Sequence, residues 1–431
     1  MSGNAKNGKN GTILHRPTRG PSAAAIRSRL GKILGKRFTQ KNLVVLGMVH
    51  TAYGGLKRAS AQIRGRGANI FTQWVGDPDA LGSAVMLRAI LLQLGAKDVR
   101  ILTGSLGHPQ NRNLVARCGI QLHDPNTERL PRGLHCMVDA SPPLGLGSTG
   151  KVQPVPEFFF VADHHADPED VERACREQGV KRVKHAYVGL PVGSTSSFMA
   201  ALGFAFGVWD SLGPGGRAAA ALGIYTDTSA LLHGPTPLDF RMFEKLTRDE
   251  ATQDVLDDLR DYRVPSDWFA YRAAAFYNQQ SIGGVRIAPV GYVKDSHRDV
   301  IAEIANELLR VEGTSVGIAV AVTERGTDVS VRADSRLLGD DPVRIVRVIN
   351  FLLEYAFPGV SGFKHEKRPP HRVEGGACVP HDETQLRMWS PRGGPQSHEA
   401  MLEHCRGAAA AIVAALQDLK FARPEEIQGL F

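Results

Sequence analysis

Acidic residues are missing from the first 76 positions, where fourteen Lys and Arg stand without one Asp or Glu. The 52 basic residues of the whole chain leave 38 beyond Gly76 against 44 acidic ones, so a strongly basic start precedes a mildly acidic body. Cysteine is scarce too. Cys118, Cys136, Cys175, Cys378 and Cys405 form no paired spacing, which argues against a disulfide framework. With no secretory signal, this odd and scattered set points to a reducing, cytoplasmic compartment. The longest apolar stretch near the start, Leu43 to Val49, is far too short to span a bilayer, so no membrane partner is expected. What is present is ordinary for a soluble globular protein: 431 residues, 42% hydrophobic and 22% charged, enough for two domains.

One stretch organises the chain. Phe158-Phe159-Phe160-Val161-Ala162 is an apolar run that stops abruptly at Asp163-His164-His165. Such a run fits a buried parallel strand, and ligands of open α/β sheets collect beyond the carboxyl ends of such strands. Three other stretches repeat the pattern: Ala68 to Val75 runs into Asp77-Pro78-Asp79, Cys136-Met137-Val138 into Asp139, and Ala221 to Thr226 into Asp227. Each alone is more often a turn or helix cap than a ligand. Together, four strand ends side by side would crowd five carboxylates and two imidazoles into one crevice. Like charge so concentrated needs neutralising, and a site for two divalent metals is the reading that does so.

Around these ends the chain alternates as an α/β fold does. Ser83 to Leu94 reads as a helix closed by Gly95, Val99 to Leu102 as a strand, Leu114 to Ile120 as a helix ended by Gly119, Pro168 to Gly179 as a helix, and Lys184 to Val188 as a strand. Gly193-Ser194-Thr195-Ser196-Ser197 opens the apolar helix Phe198 to Leu212. Its backbone N–H groups and hydroxyls could serve a phosphate or simply cap the helix. Helices follow from Pro235 and over Arg248 to Arg263. A second domain reads as strand Val285 to Val293, helix Asp299 to Val311, strands Ser315 to Glu324 and Thr327 to Ala333 joined as a hairpin, and helix Pro342 to Phe357. The last helix, His398 to Leu419, has packing or self-association into a homodimer as its default reading. The opening residues, Met1 to Gly11, cannot bury apolar surface and should be disordered. Helical patterns follow over Ser22 to Phe38 and Leu43 to Arg64. This basic arm would contact nucleic acid, merely aid solubility, or imitate a transit peptide, in that order of interest.

The motifs Asp77-Pro78-Asp79-Ala80-Leu81-Gly82-Ser83, Asp139, Asp163-His164-His165 and Gly223-Ile224-Tyr225-Thr226-Asp227-Thr228, in this order, resemble those of the DHH phosphoesterases. Within that family the chain is most similar to the nanoRNases (oligoribonucleases) that also dephosphorylate 3′-phosphoadenosine 5′-phosphate. The resemblance spans about residues 68 to 380 and implies a parallel-sheet catalytic domain followed by a smaller α/β domain with a mixed sheet. The expected division is a basic extension over 1–66, the catalytic domain over 67–263, a linker over 264–284, a substrate-binding domain over 285–390 and a helical tail over 391–431.

The resemblance also implies roles. Asp77 would hold a first metal, Asp79, His164 and Asp227 a second, and Asp139 would bridge both. Asp163 would orient His164, and His165 would touch the scissile phosphate or the leaving oxygen. Ser330-Val331-Arg332 matches a strand whose Arg332 would clamp phosphate, and His371 fits the His of the family's Gly-rich loop better than His365. Ser194 and Thr195 would add phosphate contacts. Two manganese ions are the expected cofactor, with magnesium second, for an oxygen-rich and His-poor site. The sequence departs from the family where a metal-binding His normally precedes Asp-Pro-Asp by four residues: Gln73 stands there.

Two functions follow. The first is a metal-dependent hydrolase of short oligonucleotides or small phosphorylated nucleotides, with cyclic dinucleotides, pyrophosphate and polyphosphate within the same chemistry. The alternative is a catalytically impaired relative that binds nucleotide or nucleic acid as a sensor or scaffold, which Gln73 supports.

Overall fold

The computed structural model describes residues 40–125, 132–142, 155, 157–165, 167–177, 180, 182–232, 234–338, 342–358, 366–367, 372–381 and 394–418. Its first part alternates helices and strands: α1 (Gln40–Arg58), α2 (Ser60–Ile63), β1 (Gly67–Phe71), α3 (Pro78–Gln93), β2 (Asp98–Leu102), α4 (Pro109–Cys118), β3 (Leu122–His123), β4 (Gly133–Val138), β5 (Glu157–Asp163), α5 (Pro168–Glu177), β6 (Arg182–Val188), α6 (Thr195–Phe206), α7 (Gly213–Asp227), α8 (Pro237–Leu246) and α9 (Glu250–Arg260). The six strands form one parallel sheet in the order β3-β2-β1-β4-β5-β6. The chain builds outward from β1 on one side and from β4 on the other. The crevice beyond the carboxyl ends of β1 and β4 is therefore the topological switch point, where α/β sheets bind ligands.

The strands read as continuous apolar runs because both faces are covered. On one face Ile70, Phe160 and Ala162 meet α3, α6 and α7 through Leu87, Phe198 and Leu222, while on the other Phe71, Met137, Phe158 and Val161 form a smaller cluster. Each fully buried Phe here contributes about 2–3 kcal/mol. The α1 helix joins the larger core: Val45, Val49, Ala52, Tyr53 and Leu56 recur every three or four residues and are all buried. This part of the basic extension is thus packed against the sheet domain. The earlier pattern over Ser22 to Phe38 lies outside the described residues.

The element that bears Asp227 differs from expectation. Asp227 ends helix α7, not a strand. The apolar run before it is rich in Ala, the strongest helix former, and Pro214 in the first turn starts the helix. Three strand ends, those of β1, β4 and β5, and one helix end therefore make the crevice.

The segment expected as a linker holds a helix, α10 (Ser266–Asn278), and an edge strand, β7 (Gln280–Ile282). Then come β8 (Val285–Tyr292), α11 (Asp299–Leu308), β9 (Val316–Val322), β10 (Gly326–Asp334), α12 (Ser335–Leu338), α13 (Pro342–Ala356), β11 (Glu366–Lys367), β12 (Arg372–Pro380) and α14 (Gly394–Asp418). These strands form a second, mixed sheet in the order β11-β12-β10-β9-β8-β7, parallel only between β8 and β9, which α11 connects. The C-terminal helix α14 is part of this unit, since Met401, Cys405, Ala409 and Ile412 pack with Ile287, Ile318 and Val331. The whole is an α/β protein with a parallel-sheet domain followed by a smaller mixed-sheet domain.

Candidate metal centre

Close helix packing brings the carboxylates together. A Cβ on Gly223 of α7 would lie 2.8 Å from Pro78 O and 2.9 Å from Asp79 Cα, and one on Gly82 of α3 would lie 2.7 Å from Ala219 O. Only glycine at both places lets the end of α7 approach the start of α3, which sets Asp227 beside Asp79.

Asp79 is held by three donors at the start of α6: Ser194 Oγ and the Ser196 N–H reach Oδ1 at 2.7 Å each, and the Thr195 N–H reaches Oδ2 at 2.8 Å. Thr195 Oγ1 donates to Asp139 Oδ1 at 2.9 Å. The hydroxyls and N–H groups expected to meet a phosphate are thus engaged by carboxylates, which a helix N-terminus favours for the same reason. Asp77 caps α3, its Oδ1 accepting the Ala80 N–H at 2.9 Å. Asp139 stands just beyond β4 with φ of 56°, a left-handed conformation that a non-glycine residue seldom adopts, and this turns its side chain into the crevice.

His164 Nε2 faces three carboxylates: Asp227 Oδ2 at 3.0 Å, Asp139 Oδ1 at 3.7 Å and Asp79 Oδ2 at 3.8 Å. His165 turns Nδ1 to Asp163 Oδ1 at 3.0 Å, and that carboxylate also accepts from Ser141 Oγ and the His165 N–H. Asp163 therefore orients His165, not His164 as expected. His164 is instead set with Nδ1 3.4 Å from Val192 O.

The electrostatics report an excess of negative charge. Burial, and then the charges of Asp79, Asp77, Asp227 and Asp163, push the Asp139 carboxyl well above the usual range. Burial alone would lower His164, but its hydrogen bond and charge pairing with Asp227, helped by Asp79 and Asp163, win and raise it to about 10. Burial likewise opposes the charged form of Asp163, but hydrogen bonds from His165 and Ser141 outweigh it and hold that carboxyl low. Only a proton or a cation can balance such a cluster.

The residues fit a divalent cation. Among the described residues, Asp79, His164 and Asp227 bring ligand atoms within 4.8 Å of one another, and so do Asp139, His164 and His165. His164 Nε2 is buried at the centre of these carboxylates, 3.0 Å from Asp227 Oδ2, the position from which a deprotonated imidazole would share a cation with them. Carboxylate oxygens with one imidazole suit manganese or magnesium.

The second domain carries a cavity of about 370 Å³ lined by Arg298, Asp299, Ser330, Arg332, Glu374 and Cys378, among others. Arg332 lines this cavity, but its guanidinium sits 3.4 Å from Glu374 Oε2, while its Nε is buried with no acceptor. Arg298 grips Asp328 with two hydrogen bonds, at 2.7 and 2.5 Å. No local sequence pattern marks Glu374 or Arg298. Glu374 is opposite Arg332 only through the β10–β12 register. His371 lies outside the described residues. Asp299 also meets the first domain, for a Cβ on Gly107 would come 2.4 Å from its Oδ2. Gly107 follows β2, and a parallel bridge between Val75 and Ser105 ties that loop to the segment leading into Asp77. The cavity's rim thus meets the sheet domain at the edge that bears the carboxylates.

No family model matches the chain. An uncharacterised protein of Methanocaldococcus jannaschii, MJ1633, is 24% identical over 274 residues, which cover 62% of this chain and 52% of that protein. The chain thus spans about half the length of the curated relative it matches. The fold is similar to that of an exopolyphosphatase-related protein from Bacteroides fragilis, with a TM-score of 0.55 and 13% identity over 83% of this chain and 97% of that one. Alignment with RecJ in complex with Mg2+ from Thermus thermophilus covers 91% of this chain and 57% of that one at 15% identity, with a TM-score of 0.35. Among the described residues no helix is long and apolar enough to cross a membrane.

Proposed function

We propose that this protein is a divalent-metal-dependent phosphoesterase of the DHH kind, acting on short oligonucleotides or small phosphorylated nucleotides. The observation that carries this reading is the convergence of Asp227, Asp139 and Asp79 on His164 Nε2, at 3.0, 3.7 and 3.8 Å, at the switch point of the sheet. The resemblance in the ordered Asp and His motifs supports it independently. Manganese is the first choice of cation and magnesium the second.

A bound cation would polarise a phosphoryl oxygen and supply an acidic water as nucleophile. The chain's own residues do the rest. Ser194, Thr195 and Ser196 fix Asp79, so that it needs no reorganisation to serve as ligand. Asp163 holds His165 by Nδ1, which leaves Nε2 to donate a proton to a leaving oxygen. Its bond to Asp163 also raises the His165 pKa against the effect of burial, which keeps that proton available. Arg332 brings a spare Nε donor to a phosphate in the cavity, and a small cavity beside a crevice suits short, end-presented substrates.

The second reading, a catalytically impaired binder, draws on one observation: Gln73 Nε2 donates to Asp139 Oδ2 at 3.2 Å, so an amide occupies the place of a ligand imidazole. The test is release of phosphate or mononucleotide in the presence of manganese from di- to pentanucleotides, 3′-phosphoadenosine 5′-phosphate, cyclic dinucleotides and pyrophosphate, with Asp139→Ala as control. Turnover that disappears in the control establishes the phosphoesterase and its substrate class. Metal-dependent binding without turnover on the whole panel establishes the binder.

A further inference from the structure

Two groups of side chains in the crevice could each hold an ion, Asp79–His164–Asp227 and Asp139–His164–His165, and both draw on His164. That imidazole presents one nitrogen to the crevice. Nε2 faces the carboxylates, while Nδ1 lies 3.4 Å from Val192 O. A single lone pair ligates a single cation. The two groups are therefore alternative descriptions of one ion's surroundings, not two sites.

A second ion beside Asp139 would need ligands of its own. His165 commits Nδ1 to Asp163, at 3.0 Å, and its Nε2 is the proton donor of the proposed mechanism, which a metal-bound nitrogen could not be. Gln73 reaches the other Asp139 oxygen, and it does so as a donor, Nε2 to Oδ2 at 3.2 Å. An amide nitrogen that donates has no lone pair for a metal. Turned over, its carbonyl oxygen would face the carboxylate, which is repulsive. Gln73 thus covers the face of Asp139 that a second cation would use, and Thr195 Oγ1 donates to the other oxygen at 2.9 Å.

We propose that the chain holds one divalent ion, seated by Asp79, His164 and Asp227 with Asp139 beside it, and that the Gln73 amide takes the place of a second ion as a neutral donor to Asp139. This rests on the metal-dependent reading of the site but concerns its stoichiometry, which activity alone does not report.

The full chain, stripped with a chelator and equilibrated with manganese, should bind one ion per chain by elemental analysis. Its electron paramagnetic resonance spectrum should be that of an isolated ion. Gln73→His should take up a second ion and show the broadened, exchange-coupled spectrum of a pair. Two tightly bound, coupled ions in the unmutated protein would overturn the inference and leave the phosphoesterase reading intact. One ion also in Gln73→His would overturn the role given to the amide. One isolated ion with no hydrolysis across the substrate panel would uphold the inference and remove the enzyme reading. Failure to bind any manganese at millimolar concentration would overturn both.

Discussion

The crevice of the parallel sheet and the cavity of the mixed sheet handle charge in opposite ways. In the crevice the charges of Asp79, Asp77, Asp227 and Asp163 all bear on Asp139, only two imidazoles offset them, and negative charge is in surplus. In the cavity the arginines are matched: Arg298 with Asp328, and Arg332 with Glu374. A surplus has to be completed from outside, so the crevice is built for a cation. A balanced pair has to exchange partners, so an anion entering the cavity competes with a carboxylate already there. One region carries uncompensated negative charge, the other paired charge that an entering phosphate would have to reopen.

Removing a carboxylate from the surplus side should have the largest effect. Asp79→Ala deletes a ligand and also leaves three donors, Ser194 Oγ and the N–H groups of Thr195 and Ser196, without their acceptor. Several kcal/mol of transition-state stabilisation would go with the metal, so hydrolysis should fall by about a thousandfold or more. Manganese binding measured by equilibrium dialysis should fall with it. Retained activity would show that the crevice is not the site.

Next comes the balanced side. Arg332→Ala removes the spare donor and leaves Glu374 to repel phosphate, so KM should rise by about 10- to 100-fold, in line with the loss of a charge-assisted hydrogen bond. Manganese stoichiometry should not change. A variant that lost metal instead would tie the two regions together more closely than their separate charge balance implies.

Where the sequence was legible and where it was not follows the same division. The crevice's carboxylates and imidazoles can be read because each follows an apolar run, so local pattern and position coincide. The element that carries Asp227 is not legible in the same way, since a short apolar run looks alike in a strand and a buried helix. The Ala-rich stretch and Pro214 were the signals for a helix. The roles of Ser194 and Thr195 could not be separated by sequence, because a helix start serves a phosphate and a carboxylate equally well. Glu374 and Arg298 were beyond reach. Their pairing depends on how distant strands align, Arg332 opposite Glu374, which no local pattern encodes. The stretch Leu43 to Arg64 is legible as helical, but that Val45, Val49, Tyr53 and Leu56 close the sheet domain's core is not.

The junction between the two regions gives a pH test that involves no metal. His108 at the start of α4 packs its ring against Tyr262 and Trp268, and its Nδ1 accepts the Gln110 N–H at 3.2 Å. Burial, with the charges of Arg112 and Arg272, lowers its pKa to about 4. A histidine depressed in the folded state contributes stability that is present above its unfolded value of 6.5 and lost as pH falls from there towards about 4. Allowing for partial exposure, about 2 kcal/mol should be lost across that window. Thermal unfolding should follow this loss, and His108→Gln should flatten it. A profile unchanged by the substitution would place the acid sensitivity elsewhere.

The smallest expected effect distinguishes a switchable clamp from a fixed one. Glu374→Gln keeps the size of the side chain and its place opposite Arg332 but removes the charge that holds the guanidinium. If substrate phosphate must displace Glu374, neutralising it lowers the cost of binding. Because both side chains are largely but not wholly buried, with 12% and 19% exposed, the gain should be modest, a fall in KM of about two- to fivefold. The value of kcat should hardly move, since the pair acts on binding rather than on the phosphorus. A rise in KM would mean the opposite: that Glu374 positions Arg332 for phosphate, and that the ion pair is a support which persists in the complex.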